Sequence, residues 1–170
     1  KGTSMTAKIL VAEDEAIIAK DVQNGLQRLG YEVTNVLDTV EALMSEAAET
    51  LPDLVLMDID LKGPLDGVTA ADEIRRQLNI PVVFFTGHAD DETLERAKLA
   101  EPVGYILKPF DGDTVHATIE MALHRHRIEA LQSAESASAA EAVADSTEAF
   151  RHIFEKTNDM VLLLDGQAAD

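Results

Sequence analysis

Hydrophobic positions along this chain fall into two kinds of block that alternate. Short, nearly unbroken apolar runs occur at Lys8-Ile9-Leu10-Val11-Ala12, Leu54-Val55-Leu56-Met57, Pro81-Val82-Val83-Phe84-Phe85 and Gly104-Tyr105-Ile106-Leu107. An apolar run of that length, bounded by polar or turn residues, predicts a strand buried on both faces, as in a parallel sheet. Tyr31 to Leu37 predicts one more strand, weaker because Glu32, Thr34 and Asn35 interrupt it. Between the runs, apolar residues recur at helical spacing. Ile17, Ile18, Val22, Leu26 and Leu29 predict an amphipathic helix from Ala16 to Leu29, stopped by Gly30. Thr39 caps a helix to about Glu49 with Val40, Leu43, Met44 and Ala47 inward, and Pro52 prevents its continuation. Val68 to Leu78 carries the stripe Ala71, Ile74 and Leu78. A further helix is expected from Asp90 to Ala100, and a last one from near Asp111 to at least Leu131.

Strands that alternate with helices predict an α/β fold: a doubly wound, five-stranded parallel sheet with helices on both faces and right-handed crossovers. The flavodoxin-like order 2-1-3-4-5 is the natural choice, made on precedent rather than derived from the pattern. Lys62-Gly63-Pro64-Leu65-Asp66-Gly67 is a loop by composition. Beyond Leu131 the composition shifts to Ala, Ser, Glu and Val, so residues 131–145 read as an exposed helical continuation or a flexible linker. Ser146-Thr147-Glu148 then caps a short helix with Phe150, Ile153 and Phe154 inward, and Met160 to Leu164 forms one more strand. One helix and one strand cannot bury a core alone, so residues 146–170 read as the start of an incomplete domain. Residues 5–130 form the main domain, and residues 1–4, ahead of Met5, read as a cloning remnant.

Composition narrows the classes. At 46% hydrophobic and 4% aromatic, the 170-residue chain has an ample but aliphatic core. It has no cysteine, which excludes disulfides and thiolate metal sites and fits a cytoplasmic setting. No segment approaches the roughly 20 apolar residues of a membrane span, and no signal peptide is expected. The net charge of −18 argues against nucleic acid and for cationic partners or metal ions.

The candidate chemistry sits where the strong strands end. Strand one runs into Glu13-Asp14, strand three into Asp58, strand four into Thr86 and strand five into Lys108. In a parallel sheet these ends share one edge, the edge at which open α/β sheets bind ligands. Clustered carboxylates repel, so one must take up a proton unless a cation is supplied. Oxygen ligands favour a hard divalent ion, Mg²⁺ by preference. Asp14 and Asp58 would ligate it directly, with the backbone carbonyl of Asp60, and Glu13 directly or through a water. A carboxylate beside Mg²⁺ and Lys108 suits attack on phosphorus to give an acyl phosphate. The Thr86 hydroxyl can donate to a phosphoryl oxygen, and Gly87 leaves room for that group.

These motifs carry a resemblance. Glu13-Asp14, Asp58 after its apolar strand, Thr86-Gly87 and Lys108-Pro109-Phe110 together resemble the receiver domain of two-component response regulators, over residues 6 to about 128. The resemblance implies a signalling module rather than a metabolic enzyme, with Asp58 taking a phosphoryl group from a histidine kinase. It implies that Lys108 pairs with that group and that Thr86 moves toward it. Tyr105 then turns inward and changes the face formed by the fourth predicted helix, the fifth strand and the last helix. A cis Lys108-Pro109 bond is also implied. Departures are a loop between Asp58 and Gly67 one residue longer than usual, Gly87 where alanine is common, and the acidic Asp60. The tail from Phe150 to Asp165 resembles the opening of a PAS sensory domain.

Two other readings compete. The Asp58-Ile59-Asp60 spacing fits a haloacid-dehalogenase-type phosphatase, but that motif belongs on the first strand, and Glu13-Asp14 would go unexplained. A receiver-like module that is never phosphorylated leaves the complete site without a purpose. His124 and His126, with Arg125 and Arg127, read as a solvated helix end, and His88 as an exposed loop residue. A second copy of the chain is a further expected partner, through the last helix or the face beside Tyr105.

Overall fold

The computed structural model describes residues 6–61, 67–87, 95, 101–109 and 111–137. Five strands form one parallel sheet: β1 (Lys8–Ala12), β2 (Glu32–Leu37), β3 (Leu54–Asp58), β4 (Val82–Thr86) and β5 (Gly104–Leu107). Their order is β2-β1-β3-β4-β5, as expected. Helices α1 (Ala16–Arg28), α2 (Val40–Thr50) and α3 (Gly67–Glu73) connect them, and a C-terminal helix spans residues 112–137. The chain divides into two compact units, Lys1–Arg127 and Ile128–Asp170. The first holds the sheet. Of the second, residues 128–137 are described, and they are helical. Among the described residues no helix is long and apolar enough to cross a membrane.

The two-residue period of each strand sorts the core into two layers. Leu10, Val55, Met57, Val82 and Phe84 pack with Val40, Leu43 and Ala47 of α2 and Ala70 and Ala71 of α3. Ile9, Val11, Leu54, Leu56, Val83, Phe85 and Ile106 pack with Val22 and Leu26 of α1 and Val115, Ile119 and Ala122 of the C-terminal helix. β3 and β4 are buried along their whole length, which is why their sequences show no alternation.

Helix ends follow their capping chemistry. The Thr39 hydroxyl accepts from the Ala42 N–H at 3.4 Å. Asp111 caps the C-terminal helix, accepting from the Thr114 N–H at 2.8 Å and the Thr114 hydroxyl at 2.9 Å. This holds the Asp111 carboxyl below its usual value, the Thr114 N–H being the largest cause.

Three local expectations need correction. Ile17 is 86% exposed, not inward. At 100° per residue it lies off the stripe made by Ile18, Val22, Leu26 and Leu29. The predicted helix from Val68 to Leu78 changes character at Ile74, where residues Ile74–Leu78 form a π turn ended by Asn79 at φ 53°. Asparagine tolerates that left-handed conformation, and side-chain spacing over five residues does not separate a π turn from an α turn. The basic segment at residues 124–127 is not a helix end, since the helix continues to residue 137. The readings for residues 1–4, the loop 62–66, His88, most of the fourth predicted helix, the linker past residue 137 and the tail 146–170 lie outside the described residues.

Candidate metal and phosphoryl site

Strand parity builds the site. Along β1, Ile9 and Val11 face the α1 layer, and the next residue in that phase is Glu13. Leu54 and Leu56 lead in the same way to Asp58, and Ile106 leads to Lys108. The ladder extends one residue past β1 and past β5: the Glu13 N–H donates to the Leu37 carbonyl and the Lys108 N–H to the Thr86 carbonyl, each at 2.8 Å. The three side chains therefore meet on one side of the carboxyl edge.

Lys108 Nζ donates to Glu13 Oε2 and to Asp58 Oδ2, both at 2.7 Å. The side chains are 14%, 0% and 7% exposed for Lys108, Glu13 and Asp58, so these are buried ion pairs. The ammonium also sits 4.6 Å from the centroid of the Phe85 ring. The other carboxylate oxygens take backbone donors. The Asp60 N–H donates to Asp58 Oδ1 at 3.1 Å, and the Glu15 N–H to Glu13 Oε1 at 2.9 Å. Burial pushes the Glu13 carboxyl up, against the pull of Lys108 and the Glu15 N–H. For Lys108, burial pushes down, but the bonds to Asp58 and Glu13 outweigh it and the net direction is up.

Asp14 completes an acidic cluster. Glu13, Asp14 and Asp58 each offer an oxygen, and these oxygens lie within 4.8 Å of one another. The set is all oxygen and doubly buried, which fits a hard cation such as Mg²⁺. The Asp60 side chain is exposed and outside this cluster, which leaves its backbone as the part near the site. A cleft of about 1170 Å³ opens over the cluster, walled by Asp14, Ile17, Asp60, Gly87 and Lys108.

Thr86 ends β4 fully buried, in the strand phase of Val82 and Phe84, so it belongs to the α2–α3 layer rather than to the phase of Asp58. Tyr105 packs against that same layer, partly buried, with its ring centroid 6.0 Å from that of Phe84. Among the described residues a Cβ at Gly87 would meet only the Lys108 Cδ, at 3.9 Å, an ordinary van der Waals contact. The Lys108-Pro109 bond is cis, as expected. Sequence reasoning missed Phe85 beneath the ammonium and Glu13 as a direct partner of Lys108. The signal was the two-residue phase of Ile9, Val11 and Glu13, readable once the strands are placed.

Residues 9–120 match the response regulator receiver domain family. The chain belongs to that family. As a receiver domain it is a module of two-component phosphorelay signalling, which sets it apart from the haloacid dehalogenase phosphatases. It is similar to the transcriptional regulatory protein PdtaR of Mycobacterium tuberculosis (strain CDC 1551 / Oshkosh), 34% identical over 120 residues, 71% of this chain and 58% of the relative. It is also similar to the alkaline phosphatase synthesis transcriptional regulatory protein PhoP of Bacillus subtilis (strain 168), 36% identical over 133 residues, 76% of this chain and 53% of the relative. The chain spans about half the length of these curated relatives.

Among solved structures, the signal receiver domain of a modulated diguanylate cyclase from Desulfovibrio desulfuricans G20 matches with a TM-score of 0.71 and 39% identity, covering 74% of this chain and 99% of that one. The N-terminal domain of a response regulator/sensory box/GGDEF 3-domain protein from Carboxydothermus hydrogenoformans matches with a TM-score of 0.66 and 34% identity, covering 72% and 98%. The receiver match does not reach the tail from residue 146, where the resemblance to a PAS domain was drawn.

Proposed function

We propose that Asp58 is a phosphoacceptor that takes a phosphoryl group from a histidine kinase, with Mg²⁺ held by Glu13, Asp14, Asp58 and the Asp60 carbonyl. The observation that carries this is the buried Lys108 ammonium bonded at 2.7 Å to Asp58 beside the three-carboxylate cluster. Mg²⁺, when bound, supplies positive charge that neutralises the transferring phosphoryl oxygens. The chain's own part follows from its contacts. A carboxylate oxygen of Asp58 attacks phosphorus, and the bond from phosphorus to the donor breaks with its electron pair leaving on the donor. Oδ2 carries Lys108, so the ammonium exchanges from that oxygen to a phosphoryl oxygen while its bond to Glu13 holds it in place. Thr86, which lies one strand over in the α2–α3 layer, moves toward the new group so that its hydroxyl donates to a phosphoryl oxygen, and Tyr105 turns inward behind it, changing the face around β5. The module catalyses only its own phosphorylation and dephosphorylation.

The reading extends to the rest of the chain. Residues 5–130 act as the receiver, 131–145 as a linker, and 146–170 as the start of a sensory domain, for which the sensory-box relative from Carboxydothermus hydrogenoformans is the support. The setting is the cytoplasm, and phosphorylation alters self-association. ³¹P NMR with acetyl phosphate tests the chemistry. A protein-bound acyl-phosphate resonance, distinct from that of acetyl phosphate, that needs Mg²⁺ and is absent from Asp58→Asn supports it. Steady hydrolysis of simple phosphomonoesters, with no adduct, contradicts it.

A further inference from the structure

The Lys108 side chain crosses a strand to reach its partners. Its backbone lies just past β5, Asp58 ends β3 and Glu13 follows β1, and the sheet runs β1-β3-β4-β5 in that part. Neighbouring strands lie about 4.8 Å apart, so Asp58 is two spacings, roughly 10 Å, from the line of β5. The lysine side chain therefore lies across β4. Phe85 occupies the crossing point: it pairs with Asp58 on β3 and with Ile106 on β5, and Ile106 shares the phase of Lys108. The Phe85 ring is fully buried, and Nζ lies over it, 4.6 Å from the centroid. That is within the range at which an ammonium is attracted to a ring face. An aliphatic residue would fill the same place in the core, as Val83 does two residues earlier, but it has no such face.

The ring differs in kind from the other two contacts of the ammonium. Glu13 and Asp58, each bonded to Nζ at 2.7 Å, are also members of the oxygen cluster that fits Mg²⁺. With a divalent cation beside them, their charge is shared between two cations and their hold on the ammonium weakens. Phosphorylation of Asp58 also uses up a carboxylate oxygen. Of the three contacts, the ring alone offers no oxygen to a metal and takes no part in the new bond.

We propose that Phe85 is a positioning residue: the face of its ring holds the Lys108 ammonium beside the Asp58 carboxylate when a divalent cation draws on Glu13 and Asp58. What the ammonium is held for, the oxygens of a phosphoryl group, rests on the phosphoacceptor reading of Asp58. The contact itself does not. A charge already in place meets the transferring oxygens without having to be reorganised during the transfer.

The test replaces Phe85 by pentafluorophenylalanine in the whole chain, which keeps a ring in the core and removes the negative character of its face. ¹⁵N relaxation of the Lys108 ammonium reads the contact without phosphodonor. In wild type the ammonium should be equally ordered in EDTA and in Mg²⁺. In the variant it should stay ordered in EDTA, where both carboxylates hold it, and loosen in Mg²⁺. Formation of the phosphoryl adduct from acetyl phosphate, followed by intact mass at saturating Mg²⁺, should slow about fivefold, the equivalent of a cation–π contact of about 1 kcal/mol. Phe85→Leu, which removes the ring, should show the same split between EDTA and Mg²⁺. An ammonium as ordered in Mg²⁺ in both variants as in wild type would overturn the proposal. A slower adduct with the ammonium unmoved would overturn it too, since the ring would then act by packing alone. No adduct on wild type would count against the acceptor reading of Asp58, and the relaxation in Mg²⁺ would still decide the role of the ring.

Discussion

Lys108→Met removes the one ammonium that holds two buried carboxylates and keeps the aliphatic stem over Phe85. In the native protein Nζ bonds Glu13 and Asp58 at 2.7 Å, with the Glu13 side chain fully buried and Asp58 7% exposed. Removing one member of a buried ion pair costs about 3–5 kcal/mol, because the remaining charge has lost its partner. Lys108 keeps 14% of its surface, so the lower end, about 3 kcal/mol, is expected without Mg²⁺. For a urea slope of about 1–3 kcal/mol/M, the unfolding midpoint should fall by roughly 1–3 M. The pH dependence has a definite sign. Burial already raises the Glu13 carboxyl above its usual value, and loss of Lys108 raises it further. The folded variant then binds more protons than the unfolded chain above the ordinary glutamate value, so its stability falls as pH rises through the folded value. Its deficit against wild type should be largest near pH 8 and shrink toward pH 5. Mg²⁺ should narrow the deficit, since a bound cation replaces the lost charge. Urea unfolding in EDTA and in Mg²⁺, at both pH values, measures all of this. A variant as stable as wild type in EDTA at pH 8 would refute the reasoning.

Three further expectations follow from individual contacts. The Tyr31 hydroxyl donates to Glu120 Oε1 at 2.8 Å and lies 2.8 Å from His116 Nδ1, tying the start of β2 to the C-terminal helix. A hydroxyl has one proton to give, so His116 donates to it, and Tyr31→Phe should cost about 1 kcal/mol in chemical denaturation; no loss would make the cluster incidental. A Cβ at Gly67 would press on the Ile59 carbonyl at 3.2 Å and the Asp58 carbonyl at 3.3 Å, so Gly67→Ala should destabilise the fold by on the order of 1–3 kcal/mol and weaken Mg²⁺ binding. Calorimetric Mg²⁺ affinity equal to wild type would contradict that. The Asp111 cap, its carboxyl held low, stabilises the fold above the ordinary aspartate value and is lost as pH falls through its lower folded value. Asp111→Ala should therefore lower the melting temperature at pH 7, with the difference vanishing in strong acid.

The fold was legible because each strong strand is buried on both faces. Leu54 to Met57 and Val82 to Phe85 are apolar without interruption, and their shortness together with the alternating helical segments singles out a strand covered on both faces. The convergence of Glu13, Asp14, Asp58, Thr86 and Lys108 at one edge followed from parallel direction alone. What the sequence hid was phase. Counting in twos from Ile9 puts Glu13, which bonds Lys108, in the phase of the α1 layer and Asp14 in the opposite one, yet the two look alike as a Glu-Asp pair. The same counting places Thr86 in the other layer. Ile17 was misread because adjacent isoleucines differ by 100° around a helix, and only Ile18 reaches the core. The π turn at Ile74–Leu78 was invisible, since it changes backbone bonding and not the kind of residue required.

The central claim is that Asp58 is the acceptor, and intact-mass measurement tests it most directly. The chain is incubated with acetyl phosphate and Mg²⁺, beside Asp58→Asn and beside wild type in EDTA. The account predicts one added phosphoryl mass in wild type with Mg²⁺, and none in the variant or in EDTA. A phosphoryl adduct on Asp58→Asn, or no adduct on well-folded wild type with Mg²⁺, would contradict it.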